Sequence, residues 1–256
     1  MRNLHKLYYK DYYNDVTFSL NDRGFVESVG NPIDIVKESD VKLHPDFLCG
    51  IYGSLYHKSE FEVLYPGLLT GVGISHNTRI KKLKGEFKLG MHFDYTYGFP
   101  IVYGSSVKGV LKEYFKDCYK SRKDIDIDAL IADIFDGISY ETRKPKPVYA
   151  RDQFLDAIVI SSNNKGRILE SDALAPHGGP AHNDPFVEPV PIPFIKIASG
   201  VKLRFRFKLH TTKDKTGVIM SAEEKLKVFN EILETFGIGA KTNVGYGQLK
   251  CLTNQD

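Results

Sequence analysis

Eleven residues near the C-terminus, Gly237-Ile-Gly-Ala-Lys-Thr-Asn-Val-Gly-Tyr-Gly247, constrain the fold more than any other stretch of the chain. Glycine reaches backbone angles closed to other residues, so a segment this rich in it can turn tightly against a neighbour and expose its amides. Exposed amides beside Lys241 and Thr242 suit an anion, most simply a phosphate. The common nucleotide loops do not fit. A Walker loop needs Gly-Lys-Ser/Thr opening a helix, and a dinucleotide fingerprint also lies between a strand and the helix after it. Here the glycines come after a helix. For an isolated glycine cluster the alternative is a helix cap and hairpin, and a second motif upstream decides how to weigh the two.

That motif is Thr96-Tyr-Gly-Phe-Pro100-Ile-Val-Tyr-Gly104-Ser-Ser-Val-Lys108-Gly-Val-Leu-Lys112. The spacing predicts a helix over Ser105–Lys120, with Val107, Val110, Leu111, Tyr114 and Phe115 forming one apolar stripe and Lys108, Lys112 and Lys116 another. Ser105 or Ser106 is expected as its N-cap. The free N–H groups and dipole of such a helix start attract phosphate, with Lys108 adding charge. Alone, the motif reads more readily as a well-capped structural helix than as a phosphate site.

Between and around these segments the pattern is mixed. A strand is expected from Glu60 towards Gly71-Val-Gly73, a short helix from Asp126 to Phe135, and a strand over Phe154–Ser161. Leu203, Phe205, Phe207 and Leu209 alternate with Arg204, Arg206 and Lys208, as in a half-buried strand with a basic outer face. Ser221-Ala-Glu-Glu224 is a capping box that opens a helix ending at Gly237. Tyr246–Leu252 reads as a closing strand. This order of elements is that of a single ferredoxin-like (RRM-like) α+β domain. It would occupy residues 61–256, after an N-terminal extension (1–60) that contains the cluster Tyr8-Tyr9-Lys-Asp-Tyr12-Tyr13. The prolines between His177 and Pro193 exclude a regular element there and mark an inserted arm at about 162–195. The lysine-rich stretch Lys81–Lys88 reads as a solvated hairpin or an RNA-facing loop.

Composition narrows the classes. No apolar run in the 256 residues is long enough to span a bilayer, and Met-Arg-Asn-Leu-His-Lys lacks an apolar signal core. Cys49, Cys118 and Cys251 are too few and too scattered for a disulfide framework or a zinc pattern. A cytoplasmic protein with no membrane partner and no cofactor is expected. Net charge is only +3, but residues 195–256 carry eleven Lys/Arg against six Asp/Glu, so the positive excess sits where the glycine loop sits. Phosphate neutralisation favours that placement.

Together the two motifs resemble the RAMP superfamily of CRISPR-associated RNA-binding proteins, in which a Pro-x-x-Gly-Ser-Ser-x-Lys-Gly segment opens the first helix and a glycine-rich loop follows the second. Within it the chain is most similar to the sixth-subunit branch of type III-B (Cmr) effector complexes. Thr70-Gly-Val-Gly-Ile-Ser-His76-Asn and Asp172-Ala-Leu-Ala-Pro-His177 add to the likeness. Tyr103 and Lys112 depart from it, since the family often has Pro and Arg there, and an Arg-to-Lys exchange keeps charge but not bidentate geometry.

The resemblance implies a non-catalytic subunit that caps one end of a ribonucleoprotein filament near the guide RNA 3′ part. Its partners would be CRISPR guide RNA, target RNA and neighbouring RAMP subunits of the Cmr complex. RNA contacts are expected from Ser105, Ser106, Lys108, Lys112, His76, Asn77, Gly237, Gly239, Lys241, Thr242, Asn243, Gly245 and Tyr246. Of these, Tyr246 could stack on a base or pack in the core. The competing class is a RAMP-family endoribonuclease. Asp94 lies near the place where backbone subunits carry their catalytic aspartate, but its neighbours do not match that pattern. His57, His76 and His92 are candidates for metal-free acid–base work. A zinc site at His177, His182 and Asp184 lacks a fourth clustered ligand. No catalytic or metal-binding residue is expected.

Overall fold

The computed structural model describes residues 3–11, 17–20, 26–29, 56–71, 91–96, 98–119, 125–174 and 192–252. His76, Asn77, the Lys81–Lys88 stretch, Tyr12, Tyr13, Cys49, and His177, His182 and Asp184 of the arm lie outside them.

The central element is a six-stranded sheet in which every paired neighbour is antiparallel. Its path runs from β12 (Leu249–Cys251) to β3 (His57–Val63), β9 (Lys202–Lys208), β6 (Ala157–Ser161) and β4 (Ile101–Val102), while β5 (Gln153–Phe154) also pairs with β9. Alternation in β9 sets the faces, with Leu203, Phe205 and Phe207 buried. Their partners Phe61 and Ser59 on β3 share that face, and the rings of Phe61 and Phe205 meet edge-on at 5.2 Å. The opposite face carries Lys202, Arg204, Arg206 and Lys208, and the Arg204 guanidinium holds the Glu60 carboxylate at 2.7 Å.

Two fifteen-residue helices cover the apolar face: α2 (Gly104–Cys118) and α4 (Ala222–Phe236). The helix α2 inserts Val107, Leu111 and Phe115, all fully buried. Phe229 of α4 lies at the centre of an aromatic cluster, 5.5 Å from Phe207, 5.8 Å from Phe154 and 6.0 Å from Phe135. Tyr114 and Phe236 stack where the helices meet, with ring centroids 3.8 Å apart. The capping box at Ser221 and Glu224 is fully formed.

The second expected helix is split. α3 (Ile127–Ile131), capped by Asp126, passes into a π-helical turn over Ala132–Asp136 that ends at Gly137. The turn buries Asp133, which accepts hydrogen bonds from Thr212, Tyr140 and Lys146. Nearby, fully buried Lys225 of α4 bonds Asp152 and the His210 carbonyl, both at 2.6 Å. Burial lowers the Lys225 pKa against the opposing pull of Asp152. These contacts fasten the start of α4 to the ends of β5 and β9.

Besides β4, seven elements had no sequence signal. α1 (Leu4–Tyr9) buries Leu4, Leu7 and Tyr8, with the Tyr8 ring 5.0 Å from Phe93. β1 (Thr17–Leu20) and β2 (Val26–Val29) form a hairpin, as do β10 (Thr212–Asp214) and β11 (Gly217–Met220). β7 (Leu169–Leu174) and β8 (Ile192–Ile197) pair as a separate ribbon on either side of the proline-rich segment. Expected boundaries also move: the closing strand expected over Tyr246–Leu252 is Leu249–Cys251, and β8 begins at Ile192, inside the proline-rich segment expected to hold no regular element. The strand expected from Glu60 runs over His57–Val63, and the one over Phe154–Ser161 is broken before Ala157.

Candidate nucleic-acid interface

The two motifs meet. A cleft of about 280 Å³ is lined on one side by Ile101, Val102, Tyr103, Ser106 and Val110, and on the other by Leu68, Thr70, Gly71, Ile238, Gly239 and Ala240. The start of α2 thus faces the glycine-rich loop across a space open to ligand.

The loop keeps its shape through backbone contacts. The N–H groups of Ile238, Ala240 and Gly247 donate to the carbonyls of Gly247, Leu69 and Gly67 at 3.0, 2.7 and 2.8 Å. At Gly239 (φ 100°) and Gly247 (φ 75°) a Cβ would run into the carbonyl oxygens of Leu69 and Ile238. Those glycines exist for close approach of the chain to itself. The amides of Val244, Gly245 and Tyr246 turn inward onto Lys241 and Thr242 carbonyls. What the loop presents outward is the tip: Lys241 and Asn243 are exposed and Thr242 partly so. Lys241 has a left-handed backbone (φ 61°), and among the described residues it has no carboxylate partner.

The start of α2 differs from expectation. Its N-cap is Tyr103, not Ser105 or Ser106, which fall in the first turn. The Gly104 amide donates to Asp156 Oδ1 at 2.7 Å, and the Ser106 and Val107 amides both donate to the Tyr103 carbonyl. The Gly104, Ser106 and Val107 amides of the expected cradle are therefore occupied from within, and the Asp156 carboxylate answers the helix dipole. Gly104 permits this because any Cβ there would collide with the Phe154 carbonyl. The Ser106 side of the helix remains for a ligand. Lys108 stands about 200° around the helix from Ser106 and does not line the cleft. Lys112 pairs with Asp136 at 2.7 Å and Lys116 with Asp128 at 2.6 Å. The α2 lysines thus face away from the loop.

Tyr246 is placed in the core. It is 7% exposed, packs edge-on against Phe194, and donates its hydroxyl to Asp172 Oδ2 at 2.9 Å. Lys196 reaches the same oxygen at 2.6 Å. Burial and the facing carboxylate push the Tyr246 phenol up to about 12. For Asp172, burial pushes the carboxyl up, but hydrogen bonds from Lys196, the Ala173 amide and Tyr246 outweigh it and hold it below the usual range. The base-stacking alternative for Tyr246 gives way to packing, and this triad latches the loop to the β7–β8 ribbon.

Of the remaining candidates, Asp94 sits in a turn, its amide on the Phe99 carbonyl and its carbonyl accepting from Gly98. His92 packs on Tyr103 with centroids 4.1 Å apart, and burial lowers its pKa, so it is neutral at pH 7. Sequence reasoning missed Thr70, Tyr103 and Asp156. Thr70 was visible only as part of a motif, and the Asp156 contact spans 52 residues.

These features define an α+β protein with an open cleft between two glycine-bearing turns. A model of the RAMP superfamily matches residues 60–250, and the chain belongs to that superfamily. A chain in the cryo-EM structure of the type III-B Cmr-beta bound to cognate target RNA has the same fold, with a TM-score of 0.56 and 21% identity over 81% of this chain. The present chain spans 63% of that chain's length. The crystal structure of Cmr6 from Pyrococcus furiosus aligns with 21% identity over 77% of this chain and 98% of that one, with a TM-score of 0.42. Comparison with curated proteins finds no match.

Proposed function

We propose that the chain is a non-catalytic RNA-binding subunit of a type III-B CRISPR effector complex. It would cap the filament near the guide RNA 3′ part and touch guide RNA, target RNA and neighbouring RAMP subunits. Superfamily membership supports the RNA-binding class, and the similar chain belongs to an assembly described with target RNA. The sheet path β12-β3-β9-β6, with α2 and α4 on one face, supports a ferredoxin-like domain in which β4 is an added edge strand and the β7–β8 ribbon the base of the arm.

One observation carries the reading: the cleft joins the two motifs, and the segments that form its loop side are free of negative charge. Residues 64–71 and 237–250 contain Lys241 and Lys250 but no Asp or Glu. A backbone laid along this surface meets the Lys241 charge and the hydroxyls of Thr242 and Ser106. Such contacts position a strand without reading its sequence. A paired guide needs only that, because base pairing supplies specificity.

The test is titration of the full chain with single-stranded RNA across a range of salt. Binding should weaken with salt, log K falling by about 0.7 per phosphate contact for every tenfold rise in salt. Binding that ignores salt, or no binding either alone or in the assembled particle, contradicts the reading.

A further inference from the structure

We infer that Tyr65 is a stacking platform for one unpaired base of single-stranded RNA, beside the glycine-rich loop. The inference rests on the RNA-binding reading above and adds a residue to it. Tyr65 is 85% exposed, although it sits in a turn fixed on both flanks. Gly67 closes that turn onto the Leu64 carbonyl at 2.9 Å, while Leu64 donates to Gln248 at 2.9 Å and Gly67 accepts from Gly247 at 2.8 Å. Its backbone is therefore tied to the glycine-rich loop and cannot swing away from it.

The neighbourhood selects the ligand. Val244 is 58% exposed, and Pro66 lies against Gly245, 3.7 Å from where its Cβ would be. The Tyr65 phenol also lies near enough to Tyr246 to help raise that buried hydroxyl's pKa. Since Ala240 borders the cleft and Gly245 borders Pro66, the cationic tip at Lys241 lies between cleft and ring along the chain. A strand with a phosphate at Lys241 would hold its backbone on the cleft side and have a base within reach of the ring. A rigid aromatic tied to the loop that carries Lys241, with no carboxylate in either segment and with nearby Asp172 held by Lys196 at 2.6 Å, fits a polyanion whose units have π faces. A base on such a ring needs no particular sequence, as a guide-holding surface requires.

The experiment uses the full chain and a single-stranded RNA carrying one 2-aminopurine, moved along the strand. At one position, wild type and Tyr65→Phe should quench the fluorescence and Tyr65→Ala should not. Tyr65→Ala should weaken binding on the order of 10- to 100-fold and leave the salt slope unchanged, because the ring is neutral. The side chain touches little of the core, so unfolding curves of the variants should coincide. Unchanged affinity and quenching in Tyr65→Ala would overturn the platform and leave the RNA cradle standing. Loss of a co-purifying subunit with RNA binding intact would assign the ring to protein docking and overturn it too. Failure of wild type to bind RNA both alone and in the assembled particle would overturn the cradle and the platform together.

Discussion

Lys241 combines a left-handed backbone, φ 61°, with an exposed ammonium at the tip of the loop. A lysine there costs about 1 kcal/mol that glycine would not. Lys241→Gly therefore separates charge from backbone. Chemical denaturation should find the variant as stable as wild type or slightly more so. RNA titration should find weaker binding and a salt slope smaller by about 0.7. Lys108→Ala should leave the slope nearer the wild-type value, since Lys108 lies on the other flank of α2. The latch of Asp172, Tyr246 and Lys196 has its own pH signature. The Asp172 pKa is lower folded than unfolded, so the stability it adds is present above the ordinary aspartate value, about 3.9. That stability is lost as pH falls through the lowered one. Tyr246 is raised to about 12; its contribution is complete below the ordinary value, about 10, and lost as pH rises through the folded one. Asp172→Asn should be less stable than wild type at pH 7, with the gap closing as unfolding is followed into acid.

At the scale of elements, the glycine loop is first a structural clasp, and the proposed RNA contact is laid over that role. Gly247→Ala would force a Cβ into the Ile238 carbonyl at a positive φ. It should destabilise the protein by roughly 3 kcal/mol, read as a fall in the urea midpoint. Gly217→Ala, also at positive φ but with open space around it, should cost less. The same division explains what the sequence made legible. Capping box, apolar helix stripes and the alternating β9 strand are local patterns, and each appears in the fold where it was expected. The β7–β8 ribbon and the two-residue β4 depend on partners far along the chain, so period and propensity gave no sign of them. Asp156 capping α2 is another such long-range contact. It displaced Ser105 and Ser106 from the cap and used the amide of Gly104. Tyr246 stood on a strand-like alternation whose two faces could not be ranked from sequence; the ribbon behind it decides which is covered.

At the scale of the molecule, the sheet and its two helices bring segments more than a hundred residues apart to one cleft. Gly104–Lys108 and Gly237–Gly247 owe their meeting to α2 and α4, whose rings stack at Tyr114 and Phe236. If this arrangement serves to hold RNA, labelled guide precursor or duplexed target incubated with the chain, with and without Mg²⁺, should remain uncut. Site-specific products abolished by Asp94→Asn would point to the endoribonuclease class instead. The most direct measurement of the central claim is ultraviolet crosslinking of the assembled ribonucleoprotein, with adducts on this chain mapped by mass spectrometry. Adducts should be confined to residues 65–71, 103–110 and 239–245. Adducts only on the outer face of the sheet, or none on this chain, would contradict it.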